Sequence, residues 1–208
     1  MTSRPTFAST RQPRRRRGVA GRGLRSVLAL AVLAGLASLL APAAASARAD
    51  LGLLLAPVGA CPHQTEVQAR SALQIEAMRC LTDYARRRAG LKPLAAANGL
   101  DRAAGHKAAD IIRCDEFSHE ACGRPFTYWP EQLGYIAGRC WSAAENIAWG
   151  GGRLGSARAM FRAWLHSTGH RENILGPYSD LGVGLRSGSL EGQAGAHVWV
   201  EEFGSHGC

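Results

Sequence analysis

The spacing of apolar residues changes once along this chain, and that change constrains the fold more than any other feature. Leu73, Ala77, Met78, Leu81, Tyr84 and Ala85 recur every three or four positions, which predicts one face of a helix over residues 67–88, stopped by Gly90. Asn98 is placed to cap a second helix with Leu100, Ala104, Ala108, Ile111 and Ile112 on its inner face, ending near Cys114. A third helix, residues 156–166, carries Ala157, Met160, Phe161 and Trp164 on one side, and a further helical turn starts at His170. Near the end of the chain the period becomes two: Leu181, Val183 and Leu185, then Val198, Val200 and Phe203. The Gly- and Ser-rich piece 187–195 joins these two strands as an antiparallel hairpin. Helices followed by antiparallel strands predict an α+β domain whose helices cover a sheet. Residues 116–155, rich in glycine and aromatics, read as irregular connections around Gly150-Gly151-Gly152.

The first 47 residues stand apart. Residues 1–26 hold eight arginines and no acid, and residues 27–41 are uncharged and apolar, the pattern of an export signal. Ala45-Ser46-Ala47 is the preferred cleavage point and Ala47-Arg48-Ala49 the next. An apolar run of about 15 residues is short for a bilayer span, which needs about 20, so membrane attachment is expected only if the signal stays uncleaved. The expected organisation is a signal over 1–47, an N-terminal extension over 48–65 and one domain over 66–208. Export places the mature protein outside the cell or in its envelope.

The strong positive charge belongs to the leader. The chain has 25 Lys and Arg against 16 Asp and Glu, and removing the eight leader arginines leaves 17 against 16. No basic cluster survives except Arg86-Arg87-Arg88, which suits a helix C-terminus, so a nucleic-acid partner is not expected. All six cysteines lie beyond the signal, and an even count in an exported chain predicts disulfides. The expected pairs are Cys61 with Cys80, Cys114 with Cys122 around Phe117-Ser118-His119, and Cys140 with Cys208 by elimination.

The densest polar cluster is the block from Trp164 to Tyr178, W-L-H-S-T-G-H-R-E-N-I-L-G-P-Y, where an apolar helix face runs into His170, Arg171, Glu172 and Asn173. His166 and His170 have the four-residue spacing of a zinc-protease helix, but the general-base Glu is absent and Gly169 is expected to end the helix between them. His166 is expected at the surface. Ser118 beside His119 lacks the elbow motif of a serine nucleophile. Trp164 and Trp199 are expected in the core, Tyr128 and Trp129 in an exposed irregular segment.

Several separated motifs stand in a fixed order: C-L-T-D-Y-A-R-R-R-A-G-L-K-P-L from Cys80, F-S-H from Phe117, A-E-N-I-A-W-G from Ala144, the block from Trp164, Y-S-D-L-G-V-G from Tyr178 and W-V-E-E-F-G from Trp199. Together they resemble the CAP superfamily (SCP, Tpx-1/Ag5/PR-1), in its bacterial YkwD-like secreted branch. The resemblance covers residues 81–204 and implies a three-layer α/β/α sandwich with a central antiparallel sheet. It also implies a shallow cleft whose residues fall here on His119, Glu145 and His170. A fourth family position, an acid, is Ser167 here; Glu202 or Glu172 is available as a second carboxylate.

His119 and His170 are then candidate ligands for a divalent metal such as zinc, with Glu145 as ligand or orienting partner. The alternative is a buried polar network that locks loops onto the third helix. No complete catalytic constellation can be assembled, so the leading expectation is a monomeric, non-enzymatic module. Its partner would be a small hydrophobic molecule or a cell-envelope component. A metal-assisted hydrolase acting on peptides or cell wall, and an interaction domain without a small ligand, are the other two classes.

Overall fold

The computed structural model describes residues 6–11 as backbone, and residues 51–138 and 140–207 in full. The apolar leader run and both expected cleavage sites lie outside the described residues. Among the described residues, no helix is long and apolar enough to cross a membrane.

The elements, in chain order, are β1 (Thr6–Arg11), α1 (Leu51–Leu54), α2 (Ser71–Arg88), β2 (Ala95–Ala96), α3 (Asn98–Arg113), α4 (Tyr128–Gln132), β3 (Trp141–Gly151), α5 (Ala157–His166), α6 (Thr168–Ile174), β4 (Asp180–Leu190) and β5 (Gln193–His206). The strands form one sheet in the order β1-β3-β5-β4-β2. Its long strands are antiparallel, and β2 alone pairs in parallel, with Ala95 and Ala96 opposite Asp180 and Leu181.

Helices cover both faces, giving the three layers expected. On one face α2, α5 and α6 bury Met78, Leu81, Phe161, Trp164 and Ile174 against Ala148, Trp199 and Phe203. On the other, Ala104, Ala108 and Ile111 of α3 meet Ile147, Val198 and Val200. Alternation along a strand is the cause, since neighbouring residues of β3 and β5 point to opposite faces. Residues 51–64, read from sequence as an extension, pack into the first of these cores: Leu54, Ala56 and Cys61 are buried, and the buried Gln64 donates to the carbonyls of Pro57, Val58 and Cys61.

Glycines explain the close approach of α3. A Cβ on Gly182 would sit 2.1 Å from the Leu100 carbonyl carbon, and one on Gly184 would sit 2.3 Å from that of Ala104. The helix backbone therefore rests directly on β4.

Several boundaries differ from the sequence reading. Asn98 is the first residue of α3 and not its cap; Ala97 holds that position and makes no side-chain cap. The piece 187–195 is mostly strand, because Glu191 (φ 51°) and Gly192 (φ 76°) make a two-residue turn and Leu190 already pairs with Gln193. Residues 141–151, read as irregular, form β3; their apolar run is buried on both faces and shows no alternation to detect. Gly169 lies inside α6: the break falls at Ser167, after α5 ends at His166, where Ser167 precedes the new helix and its carbonyl accepts from Arg171 N–H at 2.9 Å. Arg86 is not a simple helix-end cation. It is buried, and its guanidinium donates to the carbonyls of Lys92, Ile174 and Gly176, while burial pulls its pKa below the usual value.

Two of the expected disulfides are present, Cys61–Cys80 and Cys114–Cys122. The third expected pair involves Cys208, which lies outside the described residues.

Candidate functional site

The site grows from β3 and β5 at the level of the A-E-N-I and W-V-E-E motifs. Glu145 pairs in register with Glu202, and Asn146 with Glu201. Strand alternation then sends each pair to a different face, Glu145 and Glu202 toward α3, Asn146 and Glu201 toward α2 and α6.

On the α3 face, Cys114–Cys122 closes an eight-residue interval that carries His119. His119 Nδ1 lies 2.6 Å from Glu145 Oε1, with side-chain exposures of 11% and 0%. Lys107, buried on the inner side of α3, donates its ammonium to the His119 carbonyl oxygen. Glu202 is buried beside this group, and neither of its carboxyl oxygens meets a hydrogen-bond donor among the described residues. Glu145 Oε2 likewise meets no donor there, and His119 Nε2 has no partner among the same residues. Burial, reinforced by the charge of Glu145 and opposed by Lys107, holds the Glu202 carboxyl well above the usual carboxylate range.

Asp110, one turn beyond Lys107, fixes the segment that follows the loop. It accepts from Arg124, from Trp129 Nε1 at 2.8 Å and from Arg113 at 2.6 Å. Burial pushes its pKa up, but those hydrogen bonds outweigh burial and hold it below the usual value.

The opposite face is fully bonded at its carboxylate. Thr82 Oγ1 donates to Glu201 Oε1 at 2.6 Å and Asn146 Nδ2 to Glu201 Oε2 at 3.4 Å. Asn146 also donates to the His170 carbonyl, and Asn173 donates to Asn146 Oδ1 at 2.9 Å and to the Glu145 carbonyl. The Asn of A-E-N-I and the Asn of H-R-E-N-I-L thus bond each other, which ties α6 to β3. Trp164 Nε1 donates to the Ile147 carbonyl and locks α5 to the same strand. Burial pushes the Glu201 carboxyl up to about 7, against the opposing hydrogen bonds of Thr82 and Asn146.

The structure thus brings His119 and Glu145 together and places His170 on α6, the helix layer of the other face. The His170 ring is buried and tilted beside Trp164, centroids 6.4 Å apart. Ser167 sits at the α5–α6 junction, where its N–H donates to the Trp164 carbonyl. His166 is exposed, Trp164 and Trp199 are fully buried, and Trp129 is half-buried with its ring stacked on His106 at 4.3 Å. His197 pairs with Gly150 toward the far end of β3 from Glu145. Among the described residues, no group of three or more His, Cys, Asp or Glu is arranged to hold a metal ion. Lys107 was missed by the sequence reading. The available signal was a lysine three residues after Ala104, within the apolar stripe of α3.

A cavity of about 470 Å³ opens at the opposite edge of the sheet, between α2, α3 and β4. It shares no lining residue with the His119–Glu145 cluster.

Comparison with known proteins agrees with this architecture. The chain is 32% identical over 127 residues to the uncharacterized protein YkwD of Bacillus subtilis (strain 168); the match covers 59% of this chain and 44% of that relative's length. Its fold is similar to that of an extracellular protein containing a SCP domain from Bacillus anthracis str. Ames, with a TM-score of 0.50 at 22% identity, over 65% of this chain and 43% of that one. It is also similar to an outer surface protein from Borrelia burgdorferi, with a TM-score of 0.54 at 16% identity, over 67% of this chain and 97% of that one. Residues 81–203 match the CAP family, the cysteine-rich secretory protein family, and the chain belongs to it.

Proposed function

We propose that this chain works outside the cytoplasm as a ligand-binding module and that its His119–Glu145 pair is a lock, not a reaction centre. The observation that carries the reading is the 2.6 Å bond from His119 Nδ1 to Glu145, with the carboxylate fully buried. That bond fastens the loop of Cys114–Cys122 to β3, and Lys107 fastens the same loop to α3 through the His119 carbonyl. One nitrogen of the imidazole, Nδ1, holds the loop. A hydrolase would need a nucleophile or a metal-bound water beside it; the hydroxyl of the neighbouring Ser118 accepts from Glu120 N–H at 3.0 Å, and among the described residues there is no free thiol and no group of three metal-ligating side chains. The export signal read from the sequence, and the extracellular and outer-surface descriptions of the structural neighbours, support a place outside the cell or in its envelope.

Native mass spectrometry of the chain purified from its own host, combined with metal analysis of the wild type, His119→Ala and His170→Ala, tests this. A co-purifying small molecule, with the same low metal content in all three proteins, is expected. Stoichiometric metal that disappears in both variants, with hydrolysis of peptide or cell-wall substrates, would replace the binding module by the hydrolase.

A further inference from the structure

We infer that the cavity between α2, α3 and β4 is the binding site for an amphipathic organic anion; this rests on the binding-module reading and names its ligand class. The cavity exists because β2 ends after two residues, so beyond Leu181 the outer edge of β4 has no strand beside it. Asp101 and Arg79 close the inner end: Asp101 Oδ1 accepts from Val183 N–H at 3.0 Å, and Arg79 donates to the Leu181 carbonyl at 3.1 Å and to Asp101. This pair neutralises itself and forms a fixed polar floor.

The rim is different. Arg102 on α3 and Arg186 on β4 are exposed lining residues, and among the described residues neither pairs with a carboxylate. Arg186 donates to its neighbour's carbonyl, that of Leu185, at 3.2 Å. Its Nη2 lies over Gly105 of α3, 3.7 Å from where a Cβ would stand. His106 lies on the same rim. The acidic side chain facing them, Glu76, is exposed and 4.0 Å from Arg79. Between these charges, Ala72 and Ile75 of α2 give the cavity an apolar wall patch.

Two guanidiniums without acid partners beside an apolar wall recognise a planar or tetrahedral anion that carries a hydrocarbon part. The volume lies within the range of small-ligand sites, about 300–1,000 Å³. Carboxylate and phosphate head groups share this chemistry, and the experiment separates them.

Titration calorimetry of the purified chain with decanoate, decyl phosphate, decanol and inorganic phosphate is the test. At least one of the two decyl anions should bind, the tighter one identifying the head group, with decanol and inorganic phosphate at least about tenfold weaker. Arg102→Glu combined with Arg186→Glu should weaken the anion at least about tenfold, because both charge-assisted bonds are lost and replaced by repulsion. Ala72→Trp, which fills the cavity from the exposed side of α2, should do the same. Both variants alter exposed positions, and unchanged melting temperatures would show that they fold. The inference is overturned if the charge-reversed variant binds the anions like wild type, if decanol binds as tightly as decanoate, or if no anion binds at about 1 mM. A neutral molecule that co-purifies while no anion binds would overturn this site and leave the binding-module reading standing.

Discussion

Glu201 and Glu202 are adjacent on β5, both fully buried, and opposite in circumstance. Glu201 faces α2 and α6 and has both oxygens hydrogen-bonded, by Thr82 and Asn146. Glu202 faces α3, and no donor reaches either of its oxygens among the described residues. One sheet therefore carries a satisfied polar layer on one face and an underfilled one on the other. The satisfied layer joins the family's two Asn positions and builds the fold; the underfilled layer surrounds the His119 loop. Burying a carboxyl without a donor costs stability, and the charged neighbours of Glu202 there are Glu145 and Lys107.

The largest expected contrast is in stability. Glu201→Leu would remove two buried hydrogen bonds, leaving Thr82 with the Met78 carbonyl and Asn146 with the His170 carbonyl, and should cost about 4 kcal/mol in urea denaturation. Glu202→Leu removes a group that no donor reaches and should cost under about 1 kcal/mol, or stabilise. Equal losses would erase the distinction between the faces.

The pH dependence sharpens the same contrast. Glu201 is pushed up to about 7 from an ordinary value of 4.5, so the folded state keeps its proton while the unfolded state loses it. The stabilisation is present below pH 4.5 and is lost as pH rises through about 7, by about 3 kcal/mol. Glu202, also shifted upward, acts with the same sign. Denaturation of Glu201→Gln at pH 5 and pH 7.5 should show a flatter dependence than wild type, and an unchanged slope would assign the effect elsewhere.

Disulfide removal is expected to cost slightly less. By loop length, opening Cys61–Cys80 should cost roughly 3 kcal/mol and opening Cys114–Cys122 roughly 2.5 kcal/mol. Only the second should loosen His119, which nuclear magnetic resonance of the imidazole would report. His119→Ala is expected to cost less than either disulfide, about 1–2 kcal/mol, because it removes one bond from a loop that the disulfide and Lys107 still hold.

The sequence displayed the helices and the terminal hairpin because their apolar residues keep a period over long stretches. It hid β3, whose Ala144–Gly150 run is buried on both faces and has no alternation, and it hid β2, two alanines with no pattern at all. At the site, His119 and Glu145 were legible through their motifs and do meet. The placement of His170 in the other layer was not, because nothing local says which face of a sheet a short helix will cover. Lys107 and Glu202 depend on long-range register, Glu202 opposite Glu145 and Lys107 against the His119 carbonyl. Arg86 shows the same limit: beside two exposed arginines it read as a helix-end charge, yet it reaches the carbonyls of Ile174 and Gly176.

The lock reading is tested most directly by amide hydrogen exchange across residues 115–122 in wild type and Glu145→Ala, each with and without a chelator. The account predicts that Glu145→Ala loses protection in this loop while wild type is unaffected by the chelator. Loss of protection in wild type on chelation alone, or full protection in Glu145→Ala, would contradict it.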